Sequence, residues 1–165
     1  MMKAIAARSV PSAMTDGATE RTLVLLKPDA VKRGLSGKIL HRIERKGLTI
    51  VAARLLRVTP ELAGRHYAEH AGKPFYDGLV RHITSGPVLA LAVEGRSAIS
   101  VIRLMIGATN PLTAAPGTVR GDLAIAMTAN LIHASDSPAS AGRELELFFR
   151  PEDFHSYARV DQEFF

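Results

Sequence analysis

Unbroken apolar runs alternate along this chain with stretches of helical period. Leu23 to Leu26, inside RTLVLLKPD (21–29), are apolar without a break, and Lys-Pro-Asp stops the run. That is the pattern of a short strand buried on both faces. SGKILHRIERKG (36–47) puts Ile39, Leu40 and Ile43 on one side and ends at Gly47, which predicts a helix with a glycine stop. LTIVAARLLRV (48–58) is β-branched and apolar and reads as a strand. Thr59 is placed to N-cap a helix with Pro60 in its first position, running to about His70. A second helical piece over 76–83 is broken by SGP (85–87), and VLALAV (88–93) reads as another buried strand. SAISVIRLMIG (97–107) predicts a helix ending at Gly107, followed by a long loop to about Gly121. LAIAMTA (123–129) is expected to form the fourth strand. Pro138 to Phe149 is expected to be a helix capped by Ser137.

The order is β-α-β, helical insertions, then β-α-β. It fits an α+β fold with a ferredoxin-like βαββαβ antiparallel sheet, helices on one face and extra helical insertions. A small parallel α/β sheet would give a similar string, and periodicity does not separate the two. No internal repeat or low-complexity segment interrupts the order. Residues 1–20 are Ala/Ser-rich and show no sustained period. They are expected to be a disordered extension rather than a transit peptide, with Met14 a second candidate start and residues 21–165 the domain.

At 165 residues, 47% apolar and 22% charged, the chain is long enough for one domain with a real core. It has no cysteine. That excludes a disulfide framework, a thiolate nucleophile and cysteine zinc sites, and it suits a reducing, cytoplasmic setting. The longest apolar stretch, PVLALAV (87–93), is far shorter than the ~20 residues of a membrane span, so no membrane partner is expected. The net charge is +5 and arginine far outnumbers lysine. The planar guanidinium suits phosphate, which makes a phosphorylated partner plausible. There is no basic block of the kind that marks a nucleic-acid arm, and nucleic acid is not expected.

Several stretches carry candidate chemistry. GLSGK (34–38) is not a P-loop: two residues rather than four separate its glycines, and Ile39 follows the lysine. Lys27 ends a buried strand, where it can reach a phosphate or a sugar hydroxyl or simply snorkel to the surface. The loop NPLTAAPGTVRGD (110–122) is flanked by Arg103 and Thr109 and carries Arg120. These three are a phosphate clamp if they converge, and separate surface groups if they do not. NLIHASDS (130–137) sets His133 shortly before a helix N-terminus, where free N–H groups favour anions. The histidine is open to four roles: core packing, metal ligation, acid/base work or nucleophilic attack. A metal there would need further ligands. His66 and His70 stand four apart in HYAEH, but Tyr67 holds the glutamate place of the H-E-x-x-H pattern, so a structural or exposed role is expected for them. No serine sits in a G-x-S-x-G elbow.

NLIHASDS also resembles the active-site motif of nucleoside diphosphate kinases. TLVLLKPDAVKRGLSGKIL, HYAEHAGKPFYDGLV, SGPVLALAVEG, GATNPLTAAPGTVRGD and SAGRELELFF resemble the same family in the same order, over about Arg21 to Arg150. The resemblance implies a ferredoxin-like sheet with extra helices. It also implies ping-pong transfer of the γ-phosphate of a nucleoside triphosphate, typically ATP, to another nucleoside diphosphate, through a phosphohistidine on His133. By the same resemblance Glu144 fixes the His133 ring, Ser135 orients that carboxylate, and Tyr67 lies beside the histidine. Arg103, Thr109 and Arg120 hold phosphates, which tips the loop toward a clamp. Lys27 and Asn130 reach the sugar hydroxyls, with Lys27 also near the transferring phosphate, and the base stacks on Phe75. Mg²⁺ is implied as cofactor, carried on the nucleotide phosphates. A homo-oligomer is implied, tetramer or hexamer, with the hexamer favoured. Ala129 and Leu123 depart from the family's habit, and PEDFHSYARVDQEFF (151–165) matches none of its motifs. The alternative is a non-catalytic nucleotide- or nucleic-acid-binding regulator of the same fold, marked by loss of His133, Lys27 or Arg120; none is lost. Protein-histidine phosphotransfer would need a docking surface for its partner.

Overall fold

The structure, a computed structural model, describes residues 19–165. The expected extension lies outside the described residues, apart from Thr19 and Glu20, which open the first strand. Four strands, β1 (Thr19–Leu26), β2 (Thr49–Arg57), β3 (Pro87–Arg96) and β4 (Ile132–Ala134), form one sheet in the order β2-β3-β1-β4. Every neighbouring pair is antiparallel, with Leu25 opposite both Ala90 and His133. This excludes the parallel alternative and is the ferredoxin-like arrangement.

Among the described residues seven α-helices accompany the sheet: α1 (Pro28–Lys32), α2 (Ser36–Arg45), α3 (Pro60–His66), α4 (Tyr76–Thr84), α5 (Ala98–Ile106), α6 (Val119–Leu123) and α7 (Pro138–Phe148). Alternation along the strands feeds two apolar layers. Val24, Leu26, Leu91, Val93 and Ile132 face α2 and α5 and meet Ile39, Ile43, Ile102 and Ile106. Leu23, Leu25, Ala90 and Ala92 face the other way and meet Ala63, Ile83, Leu145 and Phe148 of α3, α4 and α7. The two crossover helices thus share one face, and the α3–α4 insertion with α7 covers the other. With both faces covered, β1 needs an unbroken apolar run, and Leu23 to Leu26 are fully buried. Each such leucine contributes about 1.5–3 kcal/mol of burial.

Two expected caps form: Thr59 Oγ1 accepts from Leu62 N and Ser137 Oγ from Ser140 N. The expected strand over 123–129 does not form. Its start completes α6, capped by Thr118, and the rest is a turn closed by an Ala126–Ala129 bridge. Ile125 and Met127 point outward, 77% and 55% exposed. The true fourth strand is the next apolar run, Ile132–Ala134, because only that run lies along β1. Of the two family departures, Leu123 packs against the aliphatic layer and Ala129 sits half-buried in the turn.

β2 is an edge strand, and the C-terminal tail lies along its first half. His155 N donates to Val51 O, Tyr157 Oη to Ile50 O and Arg159 Nη1 to Leu48 O, at 2.8, 2.9 and 3.0 Å. These bonds occupy carbonyls that an open edge would otherwise present.

Candidate active site

One cleft of about 610 Å³ opens at the end of β1 and β4, between α5–α6 on one side and α3–α4–α7 on the other. Lys27, Tyr67, Phe75, Arg103, Thr109, Arg120, Asn130, His133 and Glu144 all line it. Ser135 lies beneath, fully buried. The residues singled out in the sequence therefore converge on one place, and Arg103, Thr109 and Arg120 do so from three separate segments.

The floor is built on a strained turn. Leu131 has φ +71°, and Ile132 N donates to Asn130 O at 2.8 Å, closing a three-residue γ-turn with a left-handed centre. Such a non-glycine residue costs of order 1–3 kcal/mol and persists only where its surroundings over-determine it. Here both backbone groups of Leu131 and the carbonyls on either side of it are held. Leu131 N donates to Asp29 Oδ2 at 2.9 Å, and Leu131 O accepts from Lys27 N at 2.8 Å. Arg120 donates to Asn130 O at 3.2 Å, Ile132 O at 2.6 Å and Gly107 O at 2.9 Å. His82 Nε2 donates to the other oxygen of Asp29 at 2.9 Å. Arg120 reaches this position because α6 packs tightly under it: a Cβ on Gly121 would meet the Ala115 carbonyl at 2.1 Å. The same turn directs the Asn130 side chain, which accepts from Lys27 Nζ and donates to Thr109 O at 3.0 Å.

His133 rises from the middle of β4. Its Nε2–H donates to Glu144 Oε2 at 3.0 Å, and Ser135 Oγ donates to the same oxygen at 2.6 Å. Ser135 Oγ in turn accepts from Leu23 N at 3.3 Å, so the carboxylate is anchored through β1. This chain fixes the ring and its tautomer and leaves Nδ1 as the nitrogen with an uncommitted lone pair. His66 packs edge-on against the same ring, centroids 4.6 Å apart, and is itself backed by Phe148 at 5.4 Å. Sequence reasoning gave His66 no part in the site. The signal was its spacing in α3, three residues after buried Ala63, which puts it on the core face. His70 stays at the rim beside Phe75, ring centroids 5.5 Å apart.

The electrostatics follow from burial and neighbours. Burial, then the Arg120 charge, lowers the Lys27 pKa from 10.5 to about 8. Burial, then Arg103, lowers Arg120 to about 10. Burial works to raise the carboxyls of Asp29 and Glu144. The hydrogen bonds and charge of His82 on the one, and of His133 with Ser135 on the other, outweigh it, and both stay below the ordinary range. Burial, then His133, lowers His66 to about 3, so its ring is neutral. Burial, then the Glu144 charge, pushes the Tyr67 phenol up, so it keeps its proton. The cleft thus offers cations and neutral donors, with the Glu144 carboxylate anchored behind the histidine and those of Glu69 and Asp136 committed to Arg143 and Ser140. That suits a phosphate-bearing ligand.

A sequence model of the nucleoside diphosphate kinase family matches residues 20–154. The chain belongs to the nucleoside diphosphate kinase family. It is 53% identical over 144 residues to the nucleoside diphosphate kinase of Archaeoglobus fulgidus, covering 87% of this chain and 95% of that one. It is 58% identical over 141 residues to that of Rhodopirellula baltica, covering 86% and 93%. Among solved structures it superposes on the Halobacterium salinarum nucleoside diphosphate kinase in complex with CDP. That match has a TM-score of 0.87 and 46% identity, covering 89% of this chain and 98% of that one. It also superposes on a transition-state mimic of the Borrelia burgdorferi enzyme with bound vanadate and ADP, with a TM-score of 0.83 and 36% identity, covering 87% and 95%. The matched kinase region contains every side chain that lines the cleft; the tail along β2 continues past it.

Proposed function

We propose that this chain is a phosphotransferase that moves the γ-phosphate of a nucleoside triphosphate, typically ATP, to another nucleoside diphosphate by a ping-pong route through His133. The observation that carries this reading is the Ser135–Glu144–His133 hydrogen-bonded chain at the floor of a cationic cleft. The Nδ1 lone pair attacks the γ-phosphorus, the bond to the bridging oxygen breaks, and the diphosphate leaves with that electron pair. The proton on Nε2 stays shared with Glu144, whose charge stabilises the ring as it becomes cationic. A second diphosphate then reverses the step.

Phosphoryl transfer asks mainly for positioning and for charge on the oxygens. Lys27, Arg103, Thr109 and Arg120 supply it, and Tyr67 lines the same cleft. Asn130 and Lys27 take the sugar hydroxyls. Phe75, 52% exposed at the rim, stacks on the base; stacking is tolerant of which base it meets. Mg²⁺ enters on the nucleotide phosphates, where it neutralises charge and keeps most of its waters. Three of the four side chains assigned to the phosphates, Lys27, Arg103 and Arg120, are cationic, as suits a metal that is part of the substrate. The working form is a homo-oligomer, a hexamer before a tetramer. Exposed Leu55, Leu104, Leu112 and Ile125, each at least 66% accessible, support it. A cysteine-free chain with no helix long and apolar enough to cross a membrane, among the described residues, fits a cytoplasmic enzyme.

The deciding experiment incubates the protein with γ-labelled ATP and Mg²⁺, then adds a different diphosphate. The expected label is acid-labile and alkali-stable, moves to the acceptor, and is abolished in His133→Ala. Labelling that survives His133→Ala contradicts the route.

A further inference from the structure

His66 is a buried polar group that the proposed chemistry does not use. The residue is 6% exposed, and both ring nitrogens are enclosed and lack a hydrogen-bond partner. Burying an imidazole that way is unfavourable, and a phenyl ring would fill similar space without the penalty. An unpaired buried nitrogen is explained when a ligand can take it. The neighbours make the ligand specific: donor atoms of His66, His133 and Glu144 all lie within 4.8 Å of one another, and all three side chains line the cleft.

We propose that His66, His133 and Glu144 form a binding site for zinc(II), or another divalent cation that prefers imidazole, and that its occupancy silences the His133 nucleophile. Two imidazoles and a carboxylate are the donor set of open, three-ligand zinc sites, with the fourth position left to water. Mg²⁺, a hard ion that seeks oxygen, does not match that set. Bonds of about 2.0–2.1 Å place tetrahedral ligands about 3.3 Å apart. The widest pair must therefore close by about 1.5 Å, through turning of a His66 ring that no hydrogen bond holds.

The silencing follows from the tautomer. If the cation takes Nε2 of His133, the proton now shared with Glu144 moves to Nδ1 and removes the lone pair that attacks phosphorus. If it takes Nδ1, it occupies that lone pair directly. No net proton is released from the ring in either case. A phosphoryl group already on Nδ1 competes with the cation in turn. Lys27 and Arg143 act on His66 electrostatically, and their charge keeps affinity modest, as a reversible inhibitor requires. The silencing rests on His133 being the nucleophile; the binding does not.

Cobalt(II) titration of the nucleotide-free full chain, followed by visible absorption, tests the site. The expected spectrum shows the intense bands of a four-coordinate ion, displaced by zinc(II). His66→Phe, which keeps the ring packing, and Glu144→Gln should each weaken binding by more than about tenfold. His41→Ala, on the exposed side of α2, should not change it. A weak six-coordinate spectrum, or wild-type binding in both His66→Phe and Glu144→Gln, overturns the site. A second arm measures phosphohistidine formation with and without zinc(II), each variant against itself. Zinc(II) should suppress it in the wild type far more than in His66→Phe. Equal suppression in the two overturns the silencing. No phosphohistidine without zinc(II) counts against the phosphotransferase reading alone, because the cobalt spectrum still decides the site.

Discussion

The floor and the rim of the cleft are built in opposite ways. On the floor, Lys27, Arg120, Asn130, Ser135 and Glu144 are buried polar groups. Each is bonded to another floor residue or to a backbone carbonyl; Arg120 holds the strained turn, and Ser135 with Glu144 holds the His133 ring. At the rim, Phe75, Arg103 and Thr109 are exposed, and their side chains make no hydrogen bond among the described residues. On the proposed route, a preorganised floor fixes where phosphorus and nucleophile meet, without reorganisation during the reaction. On the same reading, an uncommitted rim adapts to whatever nucleoside is attached. The division matches an enzyme that does one reaction on many bases.

That contrast can be broken most severely at Glu144. Glu144→Ala should slow phosphorylation of His133 by about 10²–10⁴-fold in single-turnover assays, while nucleotide affinity stays within a few-fold. Collapse of binding instead would make Glu144 a structural residue. Next is Asp29→Ala, which leaves Leu131 N and His82 without their partner. A loss of about 1–3 kcal/mol in denaturant unfolding is expected, with slower turnover because the γ-turn loosens. Unchanged stability would show that Asp29 does not hold the turn. At the rim, Phe75→Ala should raise KM by about tenfold for purine and pyrimidine diphosphates alike, with kcat little changed. A large fall in kcat would erase the distinction between floor and rim.

The smallest effects are in pH. Burial and the Arg120 charge hold the Lys27 pKa at about 8 in the free cleft, and a phosphate bound beside it is expected to raise it. Binding therefore takes up a proton above pH 8, and nucleotide affinity falls as pH rises through that window. Calorimetry in two buffers of different ionisation enthalpy reads the uptake; none above pH 8 would place the proton elsewhere. Asp29 and Glu144 act in the opposite range. Their folded pKa values lie below their ordinary 3.8 and 4.5, so the stability they contribute is complete above those values and is lost as pH falls through the folded ones.

Much of this was legible in the chain. The apolar run at Leu23–Leu26, the caps at Thr59 and Ser137, and the spaced motifs led to the sheet and to the residues that converge on the cleft, but not to Asp29 beneath the turn. The fourth strand was misplaced because LAIAMTA and LIHA are equally apolar; hydropathy cannot say which lies along β1 and which faces outward. The γ-turn was invisible because nothing in Asn-Leu-Ile signals a left-handed centre: the conformation is imposed by Arg120 and Asp29, distant in sequence. Nothing local marks His66, because its pairing with His133 is tertiary and the helix ends at His66, so His70 is not its partner along one helix face.

The most direct measurement identifies which nitrogen of His133 carries the phosphoryl group, by ³¹P–¹⁵N NMR of the phosphorylated chain. Because Glu144 occupies Nε2, phosphate on Nδ1 is predicted. Phosphate on Nε2, or on a residue other than His133, would contradict the account.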